Sequence, residues 1–270
     1  MRVAHGRAAL AVEQHGETGP DVLLLHAGVT DQRSWRSVVD RLAGSARCVS
    51  FDARGYGLTT YDREDGWSPV RDALAVLDAV GVEQAVVVAC SMGGRTALDL
   101  SLAHPERVAG LVLIAPAISG APALTSDDVD EPVRQLDELI DAADEAGDLV
   151  EVNRLEAHLW LDGPLEAEGR VAGAARELFL EMNGIALAAV DPGAQADLEP
   201  AWPRLGEIRV HTLVLVGEHD LRHFHDRARH LTDAITGAEQ RILPGVAHLP
   251  HLEDDLTTLD IIEEFVTGGW

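Results

Sequence analysis

The chain has 270 residues, 46% of them hydrophobic, which is enough for one large globular core, and its apolar runs are too short to span a bilayer. The formal net charge of −25 repels phosphate backbones and anionic lipids, so neither nucleic acid nor a membrane is an expected partner. All 21 basic residues are arginine, which excludes a lysine Schiff base, and Cys48 and Cys90 are too few for a disulfide framework.

The N-terminal region, residues 1–16, mixes histidine, arginine and glutamate with alanine and lacks the apolar stretch of a signal peptide. We therefore expect a cytoplasmic protein. Residues 7–12 have the composition of an edge strand in a hairpin, and residues 21–25 and 47–51 are short apolar runs that predict buried strands. The strand over residues 21–25 leads directly into His26.

A helix is predicted after Ser68, because this serine can cap it, Pro69 suits its first turn and Gly81 suits its end. The next run, residues 85–88, is short, apolar and rich in β-branched side chains, which is typical of a parallel strand covered on both faces. Residues 108–115 form another such run after a further helix. This alternation predicts an α/β fold, with a mostly parallel sheet and helices on both of its faces.

A sharp turn with a serine at its apex joins the strand at residues 85–88 to the following helix. The residues Ala89-Cys90-Ser91-Met92-Gly93 match the small-x-Ser-x-Gly pattern of a nucleophile elbow. In such a turn Ser91 stands at the N-terminus of a helix, where unpaired backbone N–H groups and the helix dipole favour an oxyanion. We expect Ser91 to be a nucleophile, and the alternative is a serine that only caps the helix.

The α/β pattern is interrupted over residues 119–205, where helical apolar stripes occur without a convincing strand. This predicts a helical cap, or lid, inserted into a core made of residues 1–118 and 206–270. Acidic side chains on the opposite helix faces are interpreted as solvated surface. The side chains expected to line a substrate pocket are three apolar cap residues and a histidine at a strand end: Trp160, Phe179, Met182 and His26.

Two later strands bring further chemistry to the same edge of the predicted sheet, one ending near Asp220 and the other followed by His248. A serine hydroxyl needs a general base, and the base needs a group that fixes its tautomer. Because open α/β sheets bind ligands at the carboxyl ends of their strands, we expect Ser91, Asp220 and His248 to act as nucleophile, acid and base. His251 is the alternative base.

Four further histidines lie close to Asp220 in the sequence and raise zinc as an alternative ligand: His219, His223, His225 and His230. No partner motif accompanies them, and the segment after the acid is expected to form an outer helix. We therefore expect neither a metal nor a cofactor.

The chain resembles the α/β-hydrolase family over nearly its whole length. Alanine replaces the usual glycine at Ala27 and Ala89, and Ala247 stands before the histidine, all of which are small-for-small changes. Four stretches carry the resemblance, matching in turn the oxyanion loop with its downstream tryptophan, the Asp-x-Arg-Gly-x-Gly loop, the acid loop and the histidine loop: His26-Ala27-Gly28 with Trp35, Asp52-Ala53-Arg54-Gly55-Tyr56-Gly57, Val216-Gly217-Glu218-His219-Asp220 and Ala247-His248-Leu249-Pro250-His251-Leu252-Glu253.

The resemblance implies that the backbone N–H groups of Gly28 and Met92 form an oxyanion hole. It also implies a serine hydrolase of the esterase, lactonase or perhydrolase-like branch, which cleaves a small-molecule carboxylic ester or lactone through an acyl-enzyme. Serine at the elbow argues against members similar to haloalkane dehalogenases or epoxide hydrolases, which use aspartate there. A cofactor-free haloperoxidase or perhydrolase and a ligand sensor with slow turnover stay open as alternatives, and the sequence does not predict the oligomeric state.

Overall fold

The computed structural model describes residues 1–125 and 128–268. The strands are β1 (Arg2–His5), β2 (Ala8–His15), β3 (Asp21–Leu25), β4 (Arg47–Phe51), β5 (Thr60–Tyr61), β6 (Ala85–Cys90), β7 (Val108–Ile114), β8 (His211–Gly217) and β9 (Glu239–Leu243). The helices are α1 (Arg36–Leu42), α2 (Pro69–Val80), α3 (Met92–Ala103), α4 (Glu131–Glu145), α5 (Leu149–Glu156), α6 (Ala174–Leu187), α7 (Arg222–Ala234) and α8 (Leu256–Thr267).

These strands form one sheet in the order β1-β2-β4-β3-β6-β7-β8-β9, with β5 paired to β2. From β4 to β9 every neighbouring pair is parallel, and the antiparallel pairs all involve β2. Every residue of the central strand β6 is buried. A strand covered on both faces has to be apolar along its length, which is why this run lacks the polar alternation of a half-exposed strand. The predicted α/β class is confirmed.

The core consists of two apolar layers, one on each face of the sheet. Successive side chains of β3 show the division, because Leu23 belongs to one layer and Leu24 to the other. Helices α2, α3 and α7 contribute to the layer of Leu23, whereas α1 and α8 contribute to that of Leu24. The helices that cover the sheet therefore lie on both sides of it.

The ends of α2 follow the predicted capping signals. The Ser68 hydroxyl accepts a hydrogen bond from the Arg71 N–H at 3.4 Å, and Gly81 ends α2 with φ of 72°. The Asp255 carboxylate accepts one from the Thr258 N–H at 2.7 Å at the start of α8. Within residues 1–125 and 128–268, no helix has both the length and the apolar character needed to cross a bilayer.

The predicted cap segment, residues 119–205, contains α4, α5, a π-helix (Ala157–Asp162) and α6, which follow β7 and precede β8 in the chain. Its described residues form no strand beyond one isolated bridge between Gln195 and Trp67. The segment's boundaries and its role as a lid stay predictions. Parts of the predicted cap (Ser126, Asp127) and core (Gly269, Trp270) lie outside the described residues.

Two strands were not predicted from the sequence. Strand β1 pairs with β2, which also extends to His15, and the two-residue β5 pairs with β2 as well. Both new strands lie toward the edge of the sheet, and their residues are mostly exposed or half-buried. Such strands lack the apolar run or alternation by which buried strands are recognised in a sequence.

Gly217, at the end of β8, is packed against the backbone that precedes His248. A Cβ at this position would lie 2.1 Å from the Ala247 carbonyl oxygen. We expect Gly217→Ala to lower the free energy of unfolding by about 1–3 kcal/mol, because backbone has to move to make room. The measurement is chemical denaturation. Gly44→Ala is the matched control, since its Cβ would meet nothing within 4 Å, and equal losses in both variants would contradict the prediction.

Candidate active site

Ser91 lies at the turn between β6 and α3 in a strained backbone conformation. Its φ is 49° and its ψ is −111°, which L residues rarely adopt and which costs about 1–3 kcal/mol. Hydrogen bonds on both sides hold the turn: the Ser91 N–H donates to the Ile114 carbonyl at 3.0 Å, and the Ser91 carbonyl accepts from the Ala117 N–H at 3.0 Å. The end of β7 therefore fixes the position of the serine.

Two glycines after Ser91 are required by close approach of the neighbouring chain. A Cβ on Gly93 would lie 2.2 Å from the Leu25 carbonyl oxygen, and one on Gly94 would lie 2.5 Å from Cβ of Pro116. No larger residue fits at either place without movement of backbone. The first turn of α3 can thus pack against the ends of β3 and β7 and present Ser91 beyond the sheet.

The side chain of Ser91 is half-buried, and its hydroxyl makes no hydrogen bond within the part of the chain that the structure describes. A nucleophile in a free enzyme often has a loose contact with its base that tightens when substrate binds. A free hydroxyl at the N-terminus of α3 is consistent with such a nucleophile. It is not consistent with a simple cap, since the Ser91 side chain accepts no hydrogen bond from the helix.

Gly28 lies beside Met92, as an oxyanion hole built from these two residues requires. A Cβ on Gly28 would lie 3.7 Å from Cβ of Met92, which is an ordinary contact distance. Neither backbone N–H donates a hydrogen bond among those of the described residues. Two residues with unused N–H donors therefore lie beside each other, one at the start of α3 and one in the loop after β3.

His26 connects the two loops on this side of Ser91. Its Nδ1 lies 2.8 Å from the Ala27 carbonyl oxygen, and its Nε2 accepts the Ala53 N–H at 3.0 Å. These partners require a neutral ring with its proton on Nδ1, because a carbonyl oxygen only accepts and a backbone N–H only donates. The ring of Tyr56 packs edge-on against it, with centroids 4.9 Å apart. His26 therefore holds the loop that carries Gly28.

Asp52 and Arg54 brace the adjacent loop. Asp52 accepts the N–H groups of Gln32 and Leu58 at 2.9 and 2.7 Å. Burial raises the pKa of Asp52, and these two N–H groups oppose that rise. Arg54 donates to both carboxylate oxygens of Asp72, at 2.8 and 3.0 Å. The contacts are structural, since they use these side chains to tie loops together.

His248 and Asp220 form a buried hydrogen-bonded pair. His248 Nδ1 lies 2.9 Å from Asp220 Oδ2 and 3.1 Å from Oδ1, and the two side chains are only 2% and 1% exposed. A carboxylate beside Nδ1 fixes the proton on that nitrogen and leaves Nε2 free to accept one. The pair has the geometry of a base and the acid that orients it.

The loops that carry this pair are joined to each other. The N–H groups of Glu218 and His219 donate to the carbonyls of Leu243 and Val246 at 2.8 and 2.9 Å. Asp220 Oδ1 also accepts the Leu221 N–H at 2.7 Å, which orients the carboxylate at the start of α7. The distance between the acid and the base is thus set by backbone contacts.

Two aromatic rings cover His248. Phe224 of α7 lies with its centroid 4.5 Å from that of His248, and Trp160 of the predicted cap segment lies at 4.9 Å. Apolar rings around a hydrogen-bonded pair exclude water and strengthen the electrostatic interaction between its members. Trp160, predicted to line the substrate pocket, therefore lies next to His248.

His251, the alternative base, is in a different environment. It is fully buried and stacks on Trp35 with ring centroids 4.1 Å apart. Neither ring nitrogen has a hydrogen-bond partner among the described residues. Burial lowers the pKa of His251 from 6.5 to about 3, so the ring stays neutral and has no acid to orient it. The geometry favours His248 over His251.

This buried histidine predicts a specific acid sensitivity. The unfolded chain takes up a proton at His251 below about pH 6.5, whereas the folded chain takes it up only near pH 3, so stability falls as pH falls through that window. Between about pH 7 and about pH 5, this proton uptake lowers the free energy of unfolding by about 2 kcal/mol. We expect the His251→Phe protein to lack that part of the decrease. His104→Phe, at a partly exposed histidine, is the control. An unchanged pH dependence in His251→Phe would contradict the assignment.

A cavity of about 430 Å³ adjoins the site on the side of Met92 and His26. Ser91 and His248 do not line it, so it approaches the serine past Met92 rather than opening on the hydroxyl itself. Segments far apart in the chain form its wall, and the sequence did not predict most of its lining. Its lining includes His26, Arg54, Trp67, Met92, Arg95, Thr96, Asp99 and Leu198.

Phe179 and Met182, which were predicted to line the substrate pocket, do not line this cavity. Both are 0% exposed and belong to the core layer of Trp35 and Leu24. Apolar spacing on a helix shows that a face is covered but not whether protein or ligand covers it. A signal for Arg95 was present in the sequence, because it lies one helical turn after Ser91 and on the same face of α3.

The histidines near Asp220 do not gather into a metal site. Across residues 1–125 and 128–268, no three His, Cys, Asp or Glu side chains are placed to hold one ion. His219 Nδ1 instead lies 3.1 Å from a Glu166 carboxylate oxygen. Burial and the nearby Arg227 lower the pKa of His223 to about 4, so that ring is neutral. His230 stacks on Trp202 with centroids 3.9 Å apart.

Comparison with known proteins identifies relatives of the whole chain. A family model described as alpha/beta hydrolase fold matches residues 20–255. A solved N-acyl homoserine lactone degrading enzyme superposes with a TM-score of 0.71 at 25% identity, covering 98% of this chain and 100% of that one. A 2-hydroxy-6-oxo-6-phenylhexa-2,4-dienoate hydrolase from Burkholderia cepacia is 28% identical over 260 residues, which is 93% of this chain and 89% of the relative.

Higher identity occurs over shorter stretches. A 2-hydroxymuconate semialdehyde hydrolase from a Pseudomonas species is 41% identical over 108 residues, or 37% of each chain. The matched part thus spans about a third of that relative's own length, and the same holds for epoxide hydrolase B from Mycobacterium tuberculosis, at 33%. Local similarity of this kind supports the fold and not a shared substrate.

Proposed function

The chain belongs to the α/β-hydrolase fold family, and on that premise we propose that it is a serine hydrolase that cleaves a carboxylic ester or lactone through an acyl-enzyme. The observation that carries the proposal is the buried pair of His248 and Asp220, at 2.9 Å, together with Ser91 at the strained turn before α3. Nucleophile, base and acid all follow strands of one sheet. The N-acyl homoserine lactone degrading relative supports the same class of substrate.

In the proposed first step, the Ser91 hydroxyl oxygen attacks the carbonyl carbon while Nε2 of His248 takes the hydroxyl proton. Asp220 stabilises the imidazolium that forms. The backbone N–H groups of Gly28 and Met92 bind the oxyanion, and mutational precedent assigns about 10²–10³ in rate to one such donor. His248 then returns the proton to the departing alcohol oxygen, which leaves an ester between the acyl group and Ser91.

In the second step, a water molecule replaces the alcohol. His248 takes a proton from the water as its oxygen attacks the acyl carbon, and it then protonates the Ser91 oxygen as the acid leaves. The net reaction consumes one water and needs no metal or redox partner. His26 acts in this scheme by holding the loop of Gly28, and Trp160 by excluding water from His248.

A second candidate reaction is the hydrolysis of an oxo-dienoate, favoured by the Burkholderia cepacia relative that is named for such a compound and matches 93% of this chain. The sequence-based alternatives, a perhydrolase and a slow-turnover sensor, use the same residues. These three candidates and the hydrolysis of an ester or lactone differ in which compound is turned over and how fast, so one substrate panel separates them.

The test is a panel of p-nitrophenyl esters of increasing chain length, a set of lactones, and the oxo-dienoate of that relative. Turnover of an ester or a lactone that Ser91→Ala abolishes is the expected result. A burst of p-nitrophenol without steady turnover would indicate a sensor, and peracid formation from hydrogen peroxide and a carboxylic acid would indicate a perhydrolase. Turnover of the oxo-dienoate alone would replace the ester assignment with the second candidate.

A further inference from the structure

One face of helix α3 forms part of the wall of the cavity beside the proposed active site. Met92, Arg95, Thr96 and Asp99 all line the cavity, and their spacing of three, four and seven residues places them on one side of the helix. With a rise of 1.5 Å per residue, this side extends about 10 Å from Met92. A group whose carbonyl is bound at Met92 would therefore extend past Arg95.

Arg95 is a cation with unused hydrogen-bonding capacity. Its side chain is 49% exposed, and its closest charged contact is 3.8 Å, from Nε to Asp99 Oδ2. That distance is too long for a hydrogen bond, so within the described chain none of the five N–H donors of this guanidinium is used. Arg95 lies one turn beyond Ser91, about 6 Å along the axis of α3.

The other arginine of the cavity wall shows the contrast. Arg54 donates to both oxygens of Asp72, to Glu64 at 2.7 Å and to the His5 carbonyl at 3.2 Å. Its donors are already used by the protein, and its role is to hold loops together. A ligand anion in the cavity would therefore meet an available guanidinium only at Arg95.

The nearest competitor for Arg95 is Asp99, the acidic side chain one turn further along the helix. Asp99 Oδ1 accepts a hydrogen bond from the Ser119 hydroxyl at 2.6 Å. Burial raises the pKa of Asp99. The remaining carboxylates of the wall are held elsewhere: Asp72 by Arg54, and Asp191 by Arg63 at 2.5 Å.

The walls around these polar groups are apolar, with Phe51, Trp67, Val70 and Leu198 among them. Such a cavity suits a short hydrocarbon chain, and the unused donors suit an anion at its far end. Planar guanidinium groups bind carboxylates through two parallel hydrogen bonds. This combination distinguishes the cavity from one that receives a purely apolar acyl chain.

We propose that Arg95 binds a carboxylate at the far end of the acyl group, so that the preferred substrates are monoesters of short dicarboxylic acids. The proposal rests on the proposed function, because it takes the carbonyl to be bound between Ser91 and Met92. Arg95 is a specificity-determining residue and takes no part in the bond changes.

The turnover test compares monomethyl adipate with the matched methyl ester in which an isopropyl group replaces the tail carboxylate. We expect the wild-type protein to have the higher kcat/KM for the adipate ester, and Arg95→Gln to lower the ratio of the two values about tenfold. Arg95→Lys should give an intermediate ratio, since it keeps the charge and loses the paired hydrogen bonds. Arg36→Gln, at an exposed arginine outside the cavity, should leave the ratio unchanged.

A binding test separates this proposal from the proposed function. Calorimetry in the Ser91→Ala protein measures affinity for the same two esters without turnover, with and without Arg95→Gln. Tighter binding of monomethyl adipate that depends on Arg95 supports the proposal even when no ester is hydrolysed. The proposal would be overturned by equal affinities for the two esters or by a kcat/KM ratio that Arg95→Gln leaves unchanged. A preference for a matched ester with an ammonium tail would also overturn it and would point to Asp99.

Discussion

The Ser91→Ala protein is expected to lose about 10⁶ in kcat toward esters while remaining folded. The proposed acyl-enzyme forms through the Ser91 oxygen, which alanine lacks. The backbone strain at φ of 49° remains with alanine, so the free energy of unfolding should change little. The measurements are steady-state kinetics and chemical denaturation on the same preparations.

Two further variants sharpen this result. Ser101→Ala makes the same change further along α3, where the hydroxyl only bonds to the Ala97 carbonyl at 2.8 Å, and it should keep its activity. Ser91→Gly should be as inactive as Ser91→Ala but more stable by about 1 kcal/mol, because glycine adopts positive φ without strain. Residual activity above a few per cent in Ser91→Ala, after contaminating wild-type protein is excluded, would rule out Ser91 as the nucleophile.

Asp220→Asn should lower kcat about 10⁴-fold, which is the second-largest effect we expect. An asparagine amide can donate to His248 Nδ1, so the ring would carry its proton on Nε2 and could no longer accept one from Ser91. The imidazolium would also lose the carboxylate that lies 2.9 Å from it. KM should change much less than kcat, because Asp220 does not contact the cavity beside Met92.

Asp226→Asn is the matched control for this prediction. It removes the same charge at a position in α7, shortly after Asp220, and among the described residues Asp226 pairs only with Arg229 at the surface. We expect this variant to keep wild-type kinetics, which would show that the effect of Asp220→Asn does not come from net charge. If Asp220→Asn lost less than about tenfold, the pair would be structural and His248 would need another orienting group.

The sequence by itself determined the features that depend on neighbours in the chain. The apolar run of β6, the small residues around Ser91, and the capping serine and final glycine of α2 are local signals, and the structure forms each of them as predicted. Strand ends also predicted that Asp220 and His248 would come close, because parallel strands place their carboxyl ends at one edge of the sheet. Short exposed strands such as β5 carry no local signal, and they were missed.

Only the tertiary structure decided the questions that depend on what covers a side chain. His248 and His251 are three residues apart, and the sequence left His251 open as an alternative until the structure placed His248 beside Asp220 and His251 against Trp35. Phe179 has the same apolar signal in the core as it would have in a pocket. Periodicity shows which face of an element is buried, whereas the partner on that face comes from a distant segment. This partner decides whether a side chain acts as a base, packs in the core or lines a cavity.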